Sequence, residues 1–255
     1  MDFDKVAGVY RQYQAADLIR EIAPDDEMYA EGKDFYFIVG LSGIRCVLQA
    51  LSLAWTGEVK SILDLPCGHG RVGRHLRAAF PKAHISFCDL NTSGVRFCES
   101  RFGGEGVVSK PDLTQVTFTR RYDVIWIGSL FTHLDFNTTS RWLRHLAGFL
   151  SENGVLVATF HGLWSVEVQK NYYQMIEETR WARIVSDFND LGYGFATYPN
   201  SPGSELGISL AHPSRIVRLA TTIPGIRLLN YTERGWSDTH DVLAIAKTDR
   251  LRPYQ

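Results

Sequence analysis

The chain has 255 residues, a formal net charge of −1 and 45% hydrophobic residues. That length and apolar content support one large buried core, and the balanced charge leaves no basic footprint for nucleic acid. The four cysteines form no C-x-x-C pair and read as reduced, buried thiols.

In chain order, the start Met1-Asp2-Phe3-Asp4 lacks the basic segment of a secretory signal, so a cytoplasmic location is expected. Val6, Val9, Tyr10, Tyr13, Ala16, Leu18 and Ile19 approximate one face of an amphipathic helix, which Ala23-Pro24-Asp25-Asp26 breaks. Residues 35–55 form a second, apolar helix. Gly40, Ser42, Gly43, Arg45 and Gln49 interrupt it, which predicts a buried helix rather than a membrane span. Residues 1–59 are therefore expected to form a helical cap.

From residue 60 strands alternate with helices. The pattern predicts strands at 62–65, 85–90, 106–109, 123–128 and 155–160, with helices at 70–79, 94–102 and 138–150. Such alternation builds a parallel sheet with covering helices. Residues 164–190 have helical character without Gly or Pro, and 191–203 read as aromatic-rich loop and short strand. A helix at 213–220 and strands at 226–233 and 241–247 follow. The joint between those strands is too short for a crossover, so they must pair antiparallel.

The most informative stretch is Ser61-Ile62-Leu63-Asp64-Leu65-Pro66-Cys67-Gly68-His69-Gly70-Arg71-Val72-Gly73. A strand feeding a helix through small residues brings backbone N–H groups close to a ligand. Asp64 ends the strand, and a buried carboxylate must be satisfied. It either accepts hydrogen bonds from the loop or faces a positively charged ligand. Gly68 to Gly73 also matches G-x-G-x-x-G, the dinucleotide fingerprint. Two features oppose a nicotinamide ligand: the first glycine does not follow the strand directly, and the acid before the loop would repel a pyrophosphate.

These residues resemble the first motif of class I S-adenosylmethionine-dependent methyltransferases, with Asp64, Pro66, Cys67, Gly68 and Gly70 at its positions. Pro66 departs from the pattern, standing where the family usually has a glycine. Further matches follow in order over roughly the middle 100 residues. Asp89 lies roughly 20 residues past the loop, where a nucleotide-binding unit places its ribose-binding carboxylate. The resemblance implies that Asp64, Pro66, Cys67, Gly68, Gly70 and Arg71 line the cofactor loop, that Asp89 holds the ribose and that Leu90 beside it also contacts the cofactor. It places Asp112 and Leu113 at the adenine, and Gly128, Ser129 and Leu130 beneath the methionine moiety. Cys67 contributes backbone there, not a nucleophile.

The fold so implied is α/β: a seven-stranded Rossmann-like methyltransferase sheet with an antiparallel last strand. N-terminal helices and an insertion after the fifth strand are added to it. The core is expected over 60–255, with the insertion, about 161–206, as a lid over the acceptor. His133 follows the fourth strand and is the expected catalytic residue, because imidazole accepts a proton near neutral pH; the alternative is a histidine that packs against or caps the next helix. Tyr10, Tyr13, His161, Trp164, Tyr193, Tyr198 and Trp236 are the expected acceptor-pocket residues. Each also has an ordinary alternative in core packing.

No D/N-P-P-Y/F motif follows the fourth strand, nor does the Asp-Asn pair of Mg²⁺-dependent relatives, and no ligand set suggests zinc. The expected function is therefore metal-free methyl transfer from S-adenosyl-L-methionine to a small-molecule acceptor, at oxygen, without a nucleic-acid or membrane partner. A nicotinamide-dependent oxidoreductase and a catalytically silent binding protein of the same fold remain the alternatives. No Tyr-x-x-x-Lys pair supports the former.

Overall fold

The computed structural model describes residues 3–29, 33–54, 57–168, 176–199 and 205–248. Helices α1 (Phe3–Ala15) and α2 (Lys33–Leu53) precede β1 (Ser61–Leu65), α3 (Gly73–Ala79), β2 (His84–Asp89), α4 (Thr92–Phe102) and β3 (Glu105–Val108). Next come β4 (Tyr122–Ile127), α5 (Phe136–Ala147), β5 (Leu150–Phe160), α6 (Leu163–Val168), α7 (Glu178–Leu191), β6 (Tyr193–Thr197) and β7 (Gly207–Ala211). Helix α8 (Pro213–Thr221) leads to β8 (Ile226–Trp236) and β9 (His240–Lys247).

Seven strands form one sheet in the order β3-β2-β1-β4-β5-β9-β8. The first five pair in parallel, while β9 runs antiparallel to both β5 and β8. The connections reverse direction between β1 and β4, and ligands of open α/β sheets bind outside the strand ends at such a point.

Side chains alternate between the two faces, and both faces are covered. Ile62, Val124, Trp126, Val155 and Val157 share one core with Val39, Ile44 and Val47 of α2 and Leu76 of α3. Leu63, Leu65, Ile125, Ile127, Leu156 and Ala158 share the other with Leu143 and Leu146 of α5 and Ile216 of α8. Near-continuous apolar strands are what a doubly covered sheet demands. The same packing accounts for α2. Residues 34–53 are long and apolar enough to cross a membrane, yet Ile44, Val47 and Ala50 are fully buried in the core.

Several element starts differ from the sequence expectation for local reasons. Helix α3 begins at Gly73 rather than at residue 70, because Gly70 has φ +79° and cannot belong to a right-handed helix. Helix α5 begins two residues earlier than expected. Asp135 caps it, accepting from the N–H groups of Asn137 and Thr138 at 2.8 and 3.1 Å. Asn91 caps α4 in the same way.

In the insertion, the expected helix 164–190 is interrupted: α6 ends at Val168, residues 176–177 are not helical, and 169–175 lie outside the described residues. Strands β6 and β7 pair antiparallel as a separate two-stranded sheet. They have a small core of their own, in which Ile184 and Phe188 of α7 meet Ile208 and Leu210 of β7. Residue 55 of the second expected helix and residues 200–203 of the aromatic segment also lie outside the described residues.

Candidate active site

The glycine loop leaves the carboxyl end of β1 and returns beside β2. Cys67 N–H donates to the Cys88 carbonyl at 3.0 Å, and Gly70 N–H to the Cys67 carbonyl at 2.9 Å. Gly68 and Gly70 have φ of +50° and +79°, a region that side-chain-bearing residues rarely adopt. A Cβ on Gly70 would also collide with the Phe102 ring. The Leu65–Pro66 peptide is cis. Cys67 is buried, and its thiol is pushed far above the ordinary range by a hydrogen bond with Cys98 and by burial.

The two strand-end acids have different environments. Asp89 Oδ2 accepts the Gly68 N–H at 2.7 Å and Oδ1 accepts the Asn91 N–H at 2.8 Å. Asp64 is buried, and its Oδ2 has no hydrogen-bond partner. Burial, with the Asp89 charge beside it, holds the Asp64 pKa well above the usual carboxylate value.

Leu90 extends its side chain into solvent next to Asp89, 54% exposed, while Leu113 is buried. Asp112 Oδ1 accepts from Thr114 N–H, Thr114 Oγ1 and Trp142 Nε1, at 3.1, 2.9 and 3.2 Å. Its carboxylate thus organises the turn after β3. After β4, Gly128 leaves room for the Trp126 indole, whose Nε1 would lie 2.8 Å from an added Cβ. Ser129 has φ +59°, and its N–H donates to Thr159 Oγ1 at 2.8 Å. The Leu130 carbonyl accepts the His133 N–H at 3.1 Å. The Arg71 guanidinium lies over the Trp236 ring, 5.6 Å from its centroid.

His133, His161, Tyr198 and Trp236 come together at this same edge. His133 Nδ1 lies 2.8 Å from Tyr198 Oη and 3.0 Å from the Gly207 carbonyl. The His133 and His161 rings are 6.5 Å apart. A third imidazole, His240, completes the group, 4.8 Å from His161 and 5.0 Å from Trp236. Sequence reasoning missed it. Phe160 pairs with Asp241 across β5 and β9, so the next residues outward, His161 and His240, meet at the strand ends. Burial lowers the pKa of all three, that of His161 to about 3. The neighbouring histidines lower His161 and His240 further, and Arg71 adds to the effect on His240. All three rings are therefore neutral at physiological pH. Among the described residues no group of three or more His, Cys, Asp or Glu is disposed to hold a metal ion.

The remaining expected pocket residues sit elsewhere. The Tyr13 hydroxyl is 2.7 Å from His75 Nδ1, joining α1 to α3, and Tyr10 is exposed. Tyr193 is buried and donates to the Leu134 carbonyl at 2.8 Å. Trp164 packs under the Arg234 guanidinium, 4.3 Å away. Behind the glycine loop lies a residue the sequence did not single out. Arg74, fully buried, donates to the carbonyls of Gly70, Ile19 and Glu21 at 3.0, 2.8 and 2.9 Å. It ties the segment between α1 and α2 to the loop. Tyr36, under the guanidinium, donates to Asp26 at 2.7 Å.

Residues 63–156 match the family described as a methyltransferase domain. A malonyl-[acyl-carrier protein] O-methyltransferase of Bacillus anthracis is 29% identical over 120 residues, covering 47% of this chain and 44% of the relative. The match thus spans less than half the length of that curated relative. The structure of the plantazolicin methyltransferase BpumL, in complex with S-adenosylhomocysteine, superposes with a TM-score of 0.60 at 12% identity, covering 96% of this chain and 98% of that one. The sugar N-methyltransferase KedS8 of Streptoalloteichus gives 0.56 at 15% identity, covering 91% and 95%. At such identities the structural likenesses establish the fold.

Proposed function

We propose that this chain, a member of the S-adenosylmethionine-dependent methyltransferase family, transfers a methyl group to an oxygen of a small molecule. One observation carries the reading: the glycine loop with its two acids opens at the sheet edge where His133, His161 and His240 converge.

The residues present fit the cofactor. Each Asp89 oxygen has a lone pair beyond the one engaged by the loop, enough to accept the ribose hydroxyls. The exposed Leu90 side chain offers an apolar surface to the adenine. The unpartnered, buried Asp64 Oδ2 suits the positively charged methionine end. Gly128, Ser129 and Leu130 form the floor below it. The bound cofactor supplies a methyl carbon made electrophilic by its sulfonium.

The protein's own task is to hold the acceptor in line, exclude water and receive a proton. His133 is half-buried and kept neutral, so it can take the proton of an acceptor hydroxyl as the oxygen becomes nucleophilic. Tyr198 lines the acceptor side with aromatic surface, while the buried Trp236 packs against His240.

The test is calorimetric binding of S-adenosylmethionine and S-adenosylhomocysteine, followed by incubation with methyl-labelled donor and hydroxylated small molecules. Binding together with His133-dependent release of S-adenosylhomocysteine is the expected result. Binding without any turnover would favour a silent binding protein, and no binding at all would reject the reading.

A further inference from the structure

The strand β7 does more than cover the site. Its Gly207 carbonyl lies 3.0 Å from His133 Nδ1, and its Ser209 carbonyl lies 3.2 Å from His161 Nδ1. A carbonyl oxygen can only accept, so a neutral ring that hydrogen-bonds it does so with its proton on Nδ1 and its lone pair on Nε2, and the Tyr198 hydroxyl, 2.8 Å from His133 Nδ1, then accepts as well. Residues two apart in a strand send their carbonyls to the same side, which lets one strand serve both rings. β7 is itself fixed to the segments that carry them. Ser209 Oγ donates to the Phe131 carbonyl at 2.8 Å, and Ala211 N–H donates to the His161 carbonyl at 2.8 Å.

We propose that β7 locks His133 and His161 as Nδ1–H tautomers, so that the acceptor side presents two proton-accepting nitrogens and selects a hydroxyl-bearing molecule over a carboxylate. The inference rests on the methyl-transfer reading above. A hydroxyl can donate to such a nitrogen, whereas a carboxylate brings only lone pairs against it. The surroundings do not reverse this preference. His161 faces His133 and His240, and His133 also faces the Tyr198 hydroxyl. His240 Nδ1 lies 3.4 Å from Thr159 Oγ1, and Arg71 acts on His240 from over Trp236. The neighbouring Asp241 carboxylate is occupied by the Tyr231 hydroxyl and the Arg234 N–H, at 2.9 and 3.0 Å. In the transfer the acceptor O–H bond breaks and its proton passes to Nε2. The oxygen forms the new bond to the methyl carbon, and the electrons of the broken carbon–sulfur bond stay on sulfur, which ends neutral. His133 is placed to take that proton, and His161 is the specificity-determining partner.

The experiment is imidazole nitrogen NMR of the full chain saturated with S-adenosylhomocysteine, near neutral pH, with assignment by His133→Gln and His161→Gln. Phenol and benzoate, similar in size but differing in the group presented, are then titrated. The expected spectrum shows both rings as Nδ1–H tautomers, with their Nε2 resonances shifted by phenol and not by benzoate. An Nε2–H tautomer or an imidazolium at either ring overturns the proposal. So does a benzoate shift at equal or lower concentration, or no phenol shift up to its solubility limit. Failure to bind S-adenosylhomocysteine, measured separately by calorimetry, overturns the methyl-transfer reading instead and leaves the tautomer result to stand alone.

Discussion

Asp64 and Asp89 lie at the carboxyl-terminal parts of neighbouring parallel strands, yet Asp89 has partners for both oxygens while Asp64 Oδ2 has none. The loop is served by one carboxylate, and the other is kept in reserve at a cost to the ligand-free protein.

That cost can be measured. Burial raises the folded pKa of Asp64 above its usual 3.8, so the stability it contributes is present at low pH. It is lost as pH rises from that value through the raised folded pKa. Asp64→Asn should therefore stabilise the ligand-free protein at neutral pH, by about 1 kcal/mol. The same variant should lose much of its thermal shift with S-adenosylmethionine. Melting curves across pH, with and without the donor, check both halves. An Asn variant that melts lower than wild type at neutral pH would contradict the account.

Asp89→Ala removes the acceptor for two backbone N–H groups as well as for the ribose. Each charge-assisted hydrogen bond is worth roughly 1.5–3 kcal/mol, so S-adenosylhomocysteine affinity should fall by at least about tenfold. Calorimetry on the folded variant decides this, and unchanged affinity would reject the assignment.

The histidine group makes stability depend on acid. His161 is held at about 3, far below its unfolded value of 6.5. A depressed histidine contributes stability that is present above 6.5 and is lost as pH falls toward the folded value. For His161 the loss amounts to about 2 kcal/mol by about pH 5, and His133 and His240 act in the same direction. Denaturant unfolding of wild type and His161→Gln between neutral and mildly acidic pH should show a shallower loss in the variant.

Arg74 is the tie between the N-terminal segment and the glycine loop. Arg74→Met leaves the Ile19 and Glu21 carbonyls without their donor and the Gly70 carbonyl with only the backbone N–H of residue 74, and stability should drop by roughly 2–4 kcal/mol. Hydrogen exchange over residues 16–29 should rise with it. Arg74→Lys should recover only part, because an ammonium cannot reproduce the guanidinium fork.

Turnover should survive EDTA, since no group of three or more His, Cys, Asp or Glu among the described residues is disposed to hold a metal ion. Activity lost on chelation and restored by Mg²⁺ would show a metal requirement.

What the sequence revealed follows the range of the interactions involved. Asp64, Gly68, Gly70 and Asp89 belong to one strand–helix–strand unit, where spacing alone sets their neighbourhood. The antiparallel β9 was legible for the same reason, from the length of its joint to β8. His240 was not, because only the pairing of β5 with β9 brings it to His161. The role of β7 was also hidden, since it depends on backbone carbonyls that no residue type announces. Tyr193 looked like a pocket aromatic, but its hydroxyl is taken up between Leu134 and Thr139.

The separate small core of α7 and β7 has a consequence for engineering. A segment with packing of its own can be exchanged between homologous scaffolds once the contacts of Tyr193 and Ala211 with the central core are kept, which makes it a unit for transplanting selectivity. Any transplant must still deliver two carbonyls in the register now occupied by Gly207 and Ser209. Without them the imidazoles are free to adopt the opposite tautomer, and the graft would cover the cleft while leaving its chemistry unset.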